Sequence, residues 1–151
     1  MANYPPLQLI GAAVYSRLSG DATLPTLDLS PDSAVTVSVV GDEAEDQVHP
    51  FVLVPGAEAQ PWNTLGRSYG WACAITPVVF SRYDGDLEAI RIGERVTALL
   101  NDYEFTVTGY NTVICEVDPD SSPVPVKIKI ETPQKIERRA LAIRFRILVH
   151  E

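Results

Sequence analysis

The chain has 151 residues, 46% of them apolar and 21% charged, which is typical of a folded domain and argues against a disordered protein. Its net charge of −8 argues against nucleic-acid binding by phosphate neutralisation, because that mode needs an excess of lysine and arginine. The longest uncharged apolar run, residues 70–81, is too short to cross a bilayer, and the N-terminus lacks the features of a secretory signal. We therefore expect one domain, over residues 1–151, that stays in the cytoplasm where it is made and does not contact a membrane.

The first third of the chain is predicted to form one helix and two strands. Apolar residues at spacings of three and four predict a helix over residues 6–19. Residues 20–34 show no sustained period and are expected to form a loop. Strands are predicted over residues 35–39 and 51–54, with a solvated acidic turn at residues 42–46 between them.

A loop is predicted over residues 55–67 from its glycine, proline and asparagine content. The long strand predicted to follow begins at residue 69, and Pro77 indicates an edge or a bulge near its end, because proline cannot donate a hydrogen bond to a neighbouring strand.

A second helix is predicted to follow the turn Asp84-Gly85-Asp86, whose carboxylates can cap it, and to end near Asp102. Leu87 and Ile90 fall on the face opposite to its apolar stripe. The stripe consists of Ala89, Ile92, Val96, Leu99 and Tyr103.

The last third is predicted to form strands over residues 105–117 and 126–130, and a final strand that alternates between apolar and other residues over 141–149. The resulting order α, β, β, β, α, β, β, β has no repeated βα unit. It therefore predicts an α+β fold: a mainly antiparallel β-sheet with two α-helices packed on one face.

No motif in the sequence forms a complete catalytic site or metal site. The segment 66–70 matches G-x-S-x-G, but Ser68 is predicted to follow a loop and precede a strand, whereas a nucleophile elbow needs a strand and then a helix. Residues 118–122 resemble the start of a calcium loop, yet prolines interrupt it and Lys129 stands where a glutamate should bind. We therefore expect a protein that is not an enzyme and binds no metal or cofactor.

Cys73, Cys115, His49 and His150 are the other possible metal ligands, and none of them forms the close pairs used by structural zinc sites. Both cysteines lie in predicted strands, so we interpret them as buried thiols of the core and expect no disulfide.

The charges are distributed unevenly along the chain. Residues 1–126 contain 17 acidic and 5 basic residues, whereas residues 127–151 contain 7 basic and 3 acidic residues. Such a division suits a head-to-tail contact between copies, which generates a ring if the rotation closes. The interface positions that we expect are Leu87, Ile90, Arg91, Arg138 and Arg139. The alternative for Leu87 and Ile90 is that they tuck under the preceding loop.

The order of short motifs along the chain is also informative. In chain order they are Tyr4-Pro-Pro-Leu-Gln with Ala13-Val-Tyr and Leu18, Pro50-Phe-Val-Leu-Val-x-Gly56, Phe80-Ser-Arg-Tyr-x-Gly-Asp86, Glu88-Ala-Ile-x-Ile, Arg95-Val-x-x-Leu-Leu100, and the alternating C-terminal strand that follows Glu137-Arg138-Arg139. Over nearly the whole chain this order resembles the tail terminator, or tail completion, protein family of long-tailed bacteriophages. The sequence departs from the family pattern in two longer loops, 42–46 and 55–67, and at Tyr69, where members often carry a histidine.

The resemblance implies a virion structural protein of the tail or neck, assembled in the bacterial host cytoplasm. It implies a homo-hexameric ring that caps the head-proximal end of the tail tube, ends tube polymerisation and joins the head–tail connector or stopper protein. DNA would pass through the lumen without specific binding, and we expect an acidic wall to favour passage by repelling phosphate.

Other functions remain open from the sequence. One is another neck or tail-tube component of the virion, such as a head–tail stopper or a tube subunit, and a tube subunit should form long rods. A second possibility is a small hydrolase or metal-dependent enzyme, and zinc analysis together with an esterase assay would detect either one. A third is a cellular binding domain with an open sheet edge.

Overall fold

The structure is a computed structural model that describes residues 5–29, 34–39, 49–63, 69–83, 85–130 and 136–150. In this part of the chain two helices and nine strands are present, which confirms the predicted α+β class. The helices are α1 (Leu7–Ser19) and α2 (Leu87–Leu100). The strands are β1 (Thr36–Val39), β2 (Phe51–Val54), β3 (Glu58–Asn63), β4 (Tyr69–Ile75), β5 (Val78–Ser81), β6 (Asn111–Val117), β7 (Val126–Ile130), β8 (Ile136–Ala142) and β9 (Phe145–His150).

The strands form two sheets rather than the one sheet predicted. A five-stranded sheet has the order β1-β2-β5-β8-β7, and a four-stranded sheet has the order β3-β4-β9-β6. Strands β1 and β2 run parallel, and every other pair of neighbours among the described strands is antiparallel, as predicted. Buried side chains of both sheets and both helices belong to one hydrophobic core.

Two predicted strands are divided where the chain passes from one sheet to the other. Residues 76–77 separate β4 from β5, and residues 143–144 separate β8 from β9. The two crossings lie side by side, since the backbone N–H of Ile143 donates to the carbonyl of Pro77 at 3.1 Å. Apolar alternation continues through residue 143 because both sheets face the same core, so the predictions of unbroken strands here were wrong.

Two other predicted boundaries were also wrong. Residues 58–63 form β3 rather than a loop, and Pro61 is tolerated there because β3 is the outer strand of its sheet. The strand predicted from Phe105 begins at Asn111, because residues 107–110 form a tight turn before it.

Each helix buries the apolar stripe that its sequence predicts, except that α2 ends before Tyr103, which is half-buried. The buried residues of these stripes are Ile10, Val14 and Leu18 on α1 and Ala89, Ile92, Val96 and Leu99 on α2. Helix α1 contacts β1 and β2, whereas α2 contacts β5 and β8, so the helices cover neighbouring pairs of strands in the five-stranded sheet and also contact each other. The contact between α2 and β8 is close at Gly93, where a Cβ atom would overlap the side chain of Leu141.

The start of α2 is held in a way that the sequence did not predict. Asp86 occupies the N-cap position but makes no capping hydrogen bond, and its carboxylate instead accepts one from Arg139 Nε at 2.9 Å. Glu88 in the first turn is buried and accepts hydrogen bonds from the Ser81 hydroxyl at 2.6 Å and the Leu29 backbone N–H at 2.7 Å. These carboxylates therefore tie α2 to β5, β8 and the loop before β1.

Candidate functional site

Leu87 and Ile90 lie on the outward face of α2, with 54% and 38% of their surface exposed. The alternative that they tuck under the preceding loop was therefore wrong. Arg91, the next residue, is half-buried. Residues three positions apart on a helix are neighbours, so Leu87 and Ile90 form an apolar strip on the surface.

Arg138 and Arg139 are adjacent on β8, so their side chains project from opposite faces of the sheet. Arg139 pairs with Asp86 at 2.9 Å and thus lies beside Leu87. Arg138 stacks on Phe80, with its guanidinium carbon 4.3 Å from the ring centroid, and its buried Nε has no hydrogen-bond partner among the described residues. Burial and, to a smaller extent, the charge of Arg82 lower the pKa of Arg138. The structure thus brings Arg139 to the apolar strip and places Arg138 on the other face of the sheet.

An apolar groove that the sequence analysis missed lies beside the strip. It has a volume of about 420 Å³ and runs between α2, the segment 123–125 and β8. Val124 and Val126, on either side of Pro125, are 63% and 56% exposed. We refer to this part of the molecule as the α2–β7 surface, formed by Leu87, Ile90, Pro123, Pro125 and Leu141. Val126 pairs with Ala140, the neighbour of Leu141 in the chain, so its side chain projects from the other face of the sheet. Leu87 and Ile90 are the exposed large apolar side chains of this surface among the described residues.

Several C-terminal arginines pair with carboxylates from the acidic part of the chain. Arg144 lies 3.0 Å from Asp118 and 3.7 Å from Glu58, and Arg146 pairs with Glu116. The pair between Arg139 and Asp86 adds to these. The uneven charge of the sequence is therefore partly neutralised within one molecule.

Cys73 and Cys115 are buried free thiols, as predicted, and they flank Ile147 from opposite sides in the four-stranded sheet. Two strand spacings put their backbones about 10 Å apart, which is beyond the reach of a disulfide. Burial raises the pKa of Cys73 to about 11. Burial, together with the charges of Glu116 and Asp102, raises the pKa of Cys115 to about 12. Both thiols therefore remain protonated at neutral pH and act as packing groups.

The other titratable groups considered in the sequence do not converge on a catalytic or metal site. His49 packs edge-on against Phe51, with the ring centroids 4.9 Å apart. Asp118 accepts hydrogen bonds from the Asp120 N–H and from Arg144 Nε, both at 3.0 Å, so its oxygens close a turn. Within the described ranges, no three His, Cys, Asp or Glu residues lie close enough to hold a metal ion.

Three features of the sequence lie outside the described residues, namely Ser68, the predicted capping carboxylate of Asp84 and the acidic turn predicted at residues 42–46. In the part of the chain that the structure describes, neither helix is long and apolar enough to cross a membrane.

The sequence contains only weak indications of the α2–β7 surface. Gly93 lies within the buried stripe of a helix, where a glycine is costly unless another element approaches closely. Pro123-Val124-Pro125 combines an apolar residue with two residues that cannot donate a hydrogen bond. Neither pattern identifies the element on the other side of the groove, because residues 93, 125 and 141 meet only in the folded chain.

No family model matches this sequence. No curated protein matches it either. A solved structure titled "Virion of native gene transfer agent (GTA) particle" contains a chain that is similar to this one, with a TM-score of 0.70 and 17% identity, covering 95% of this chain and 96% of that chain. A second solved structure covers 93% of this chain and 94% of its own, with a TM-score of 0.45 and 14% identity, which is too low to carry an argument. At 17% identity, the first similarity shows that the two chains share a fold over nearly their full lengths.

Proposed function

We propose that this chain is a structural subunit of a phage-like virion that forms a ring, six-membered in the family it resembles, at the head-proximal end of a tail tube and ends tube growth. The observation that carries this proposal is the fold similarity, over 95% of this chain, to a chain of the gene transfer agent virion. The motif order that resembles the tail terminator family supports the same role from the sequence. The chain acts in assembly and supplies no catalytic chemistry.

The surface of the molecule suits a subunit that contacts several neighbours. Strands β1 and β7 are the outer strands of one sheet, and β3 and β6 are the outer strands of the other. Outer strands have backbone groups on one side that can pair with a strand of another molecule. The exposed apolar residues of the α2–β7 surface add a second kind of contact.

The partners in this proposal are further copies of the chain, the tail tube protein, and the head–tail connector or stopper protein. The assembly takes place in the bacterial host cytoplasm, and the product lies in the virion tail or neck. DNA passes through the lumen without specific binding, which the net charge of −8 per subunit favours by repelling phosphate.

The test is to let the cognate tail tube protein polymerise with and without this chain. We expect short tubes that carry one ring at one end, and closed rings of the chain alone at high concentration. Electron microscopy gives the tube lengths, and light scattering over a range of concentrations gives the mass of the ring.

Different results would identify the alternatives. Long rods made of this chain alone would indicate a tube subunit. Binding to the connector protein without any effect on tube length would indicate a head–tail stopper. Neither rings nor any effect on tubes or connector would overturn an assembly role.

A further inference from the structure

We propose that Arg82 and Arg138 form an oxyanion-binding site on the face of the five-stranded sheet opposite to α2, and that the oxyanion is a carboxylate of a neighbouring protein subunit. The inference rests on the proposed function and deepens it, because it names the chemistry by which the chain binds a neighbour in the virion.

The two arginines lie side by side on one face of the sheet. Ser81 pairs with Arg139 in the antiparallel register of β5 and β8, so Arg82 follows opposite Arg138. The Arg139 side chain reaches Asp86 at the start of α2, so the side chain of the preceding residue, Arg138, projects to the other face. The pair therefore lies on the face opposite to α2.

Arg138 is held against an aromatic ring but has no counter-charge. Its guanidinium stacks on Phe80, with the guanidinium carbon 4.3 Å from the ring centroid. Among the described residues neither Arg82 nor Arg138 forms an ion pair, and the buried Nε of Arg138 has no hydrogen-bond partner. Stacking uses the flat face of a guanidinium and leaves the N–H groups at its edge for an acceptor.

A ligand can reach this edge from solvent. Arg138 is half-buried and Arg82 is exposed. The terminal nitrogens of Arg138 are not among the buried atoms without a partner in the described part of the chain, and they are therefore accessible. The acceptor would bind to these terminal nitrogens, beside the guanidinium of Arg82.

Arg17 provides a comparison, because it has the same aromatic support together with an acceptor. Its guanidinium carbon lies 3.9 Å from the ring centroid of Tyr103, and its Nε donates to the carbonyl of Leu99 at 3.1 Å. Arg138 has the ring without the acceptor. Buried donors in proteins are nearly always paired, so the acceptor is the part of the arrangement that a ligand would supply.

The charges of the two arginines also favour an anion. Burial and, to a smaller extent, the charge of Arg82 lower the pKa of Arg138. The charged form of Arg138 is thus disfavoured in the single chain, and an anion beside both guanidinium groups would stabilise it. An oxyanion has at least two acceptor oxygens, which suits donors from two guanidinium groups.

The surroundings of the pair favour a protein carboxylate over a nucleic-acid phosphate. Val126 lies on the same face, because it pairs with Ala140, which is two residues from Arg138. It is 56% exposed, so an apolar side chain of a neighbouring protein can pack there beside the ion pair. The net charge of −8 repels a phosphate backbone, whereas a single carboxylate brings far less negative charge to the surface.

The first test examines the site in the single chain, at low protein concentration and constant ionic strength. The arginine N–H signals are followed by NMR during titration with inorganic phosphate and with acetate, and we expect a saturable shift of the Arg138 Nε signal. Arg82→Gln should weaken this binding about tenfold, because it removes a charge-assisted hydrogen bond. Arg17 is the internal control, and its signal should not shift because its Nε already has an acceptor.

The second test identifies the source of the oxyanion. Arg82→Gln and Arg138→Gln are compared with Arg146→Gln, which removes one positive charge from the other sheet. We expect the first two variants to weaken self-association about tenfold if another copy supplies the carboxylate, and to weaken binding to the cognate tail tube protein about tenfold if that protein supplies it. The control should behave like the original protein in both measurements. Arg82 is exposed, so Arg82→Gln should keep the original melting temperature even if Arg138→Gln lowers it by losing the stacking on Phe80.

The outcomes separate this inference from the proposed function. Anions that shift the Arg138 signal no more than the Arg17 signal would overturn the site. Rings and capped tubes that both variants form like the original protein would overturn the protein carboxylate and leave the proposed function standing, and weaker binding of double-stranded DNA by the variants would then assign the site to phosphate. If the unmodified chain forms neither rings nor capped tubes, the proposed function and the carboxylate of a neighbour both fail, and the anion titration alone decides whether the site exists.

Discussion

At the scale of single residues, Glu88 stands out because it is a carboxylate with only 1% of its surface exposed. Its two oxygens accept hydrogen bonds from the Ser81 hydroxyl at 2.6 Å and the Leu29 N–H at 2.7 Å. A buried charge of this kind is tolerated when donors surround it, and the first turn of α2 adds the positive end of the helix dipole. Glu88 therefore joins α2 to β5 and to the loop before β1.

We expect Glu88→Ala to lower the free energy of unfolding by about 3 kcal/mol, because it leaves two donors buried without an acceptor. Glu88→Gln keeps one oxygen acceptor and should cost about 1 kcal/mol. Urea unfolding at low protein concentration measures both values. The control is Glu94→Ala, at an exposed position of the same helix, which should stay within about 0.5 kcal/mol of the original protein. Equal stability of Glu88→Ala and the control would contradict the structural role of Glu88.

Asp21 links the end of α1 to α2 through Arg95, with distances of 2.9 Å and 2.7 Å between their paired atoms. It also accepts the Leu24 N–H at 2.9 Å. The hydrogen bonds that Arg95 donates to Asp21 are the main reason why the pKa of Asp21 lies below its usual value of 3.8.

This lowered pKa predicts how the stabilisation by Asp21 depends on pH. Asp21 binds a proton more readily in the unfolded chain than in the folded chain. The stabilisation is therefore fully present above the unfolded pKa of 3.8, and it is lost as the pH falls through the lower pKa of the folded chain. We expect Asp21→Asn to lower the melting temperature at pH 7, and the difference from the original protein to shrink as the pH falls below 3.8. Asp120→Asn, at an exposed turn, is the control for the loss of one negative charge. A difference that stays constant at low pH would contradict this assignment.

At the scale of secondary-structure elements, the close contact of α2 with β8 depends on a glycine. A Cβ atom at Gly93 would overlap Leu141 Cδ2 and lie 3.3 Å from Ile143 Cδ1. Both of these side chains are buried, so they have little freedom to move aside. Gly11 on α1 offers a contrast, because a Cβ atom there would have no atom within 4 Å.

These two glycines make a matched pair of helix substitutions. Gly11→Ala should raise the free energy of unfolding by about 0.5–1 kcal/mol, because alanine favours the helix. Gly93→Ala receives the same benefit but overpacks the contact between α2 and β8, and we expect a net loss of about 1 kcal/mol. Thermal or urea unfolding at one protein concentration compares the two variants. A Gly93→Ala variant as stable as Gly11→Ala would show that Leu141 repacks into the groove without cost.

At the scale of the whole molecule, the distribution of charge is set by the fold rather than by position in the sequence. Arg139, Arg144 and Arg146 pair with carboxylates of their own chain. Arg138 stacks on Phe80 and has no carboxylate partner in the described part of the structure. Of the two adjacent arginines expected at an interface, Arg138 is therefore the one without an ion pair among the described residues.

We expect Arg138→Glu to weaken self-association about tenfold or more and Arg138→Lys to weaken it much less, because lysine retains the charge. Arg139→Glu should weaken it too, but this change also sets two carboxylates against each other at Asp86, so it should lower the melting temperature. Light scattering at low and high salt measures the effect, since salt reduces the range of charge interactions from about 30 Å at 0.01 M to about 3 Å at 1 M. Oligomers of unchanged size in the Arg138→Glu variant would contradict a role for charge in assembly.

Patterns within single segments of the sequence were enough to predict both helices and several buried strand faces. Helical periodicity predicted α1 and the buried face of α2, and alternation predicted that Leu141, Ile143, Phe145, Ile147 and Val149 are buried. The outward position of Leu87 and Ile90 followed from the same periodicity.

The contacts between elements could be identified only from the folded structure. The crossings at residues 76–77 and 143–144 divide the strands between two sheets, yet alternation continues through the second because both sheets share one core. The α2–β7 surface joins Ile90, Pro123 and Leu141, which no local pattern connects. The charge available to a partner also depended on folding, because an ion pair such as that of Arg144 and Asp118 forms between residues far apart in the chain. Local periodicity in the sequence indicates whether a side chain is buried. It does not indicate which residues the side chain contacts, because those contacts depend on how distant segments pack. The candidate site of this protein consists of residues brought together in this way.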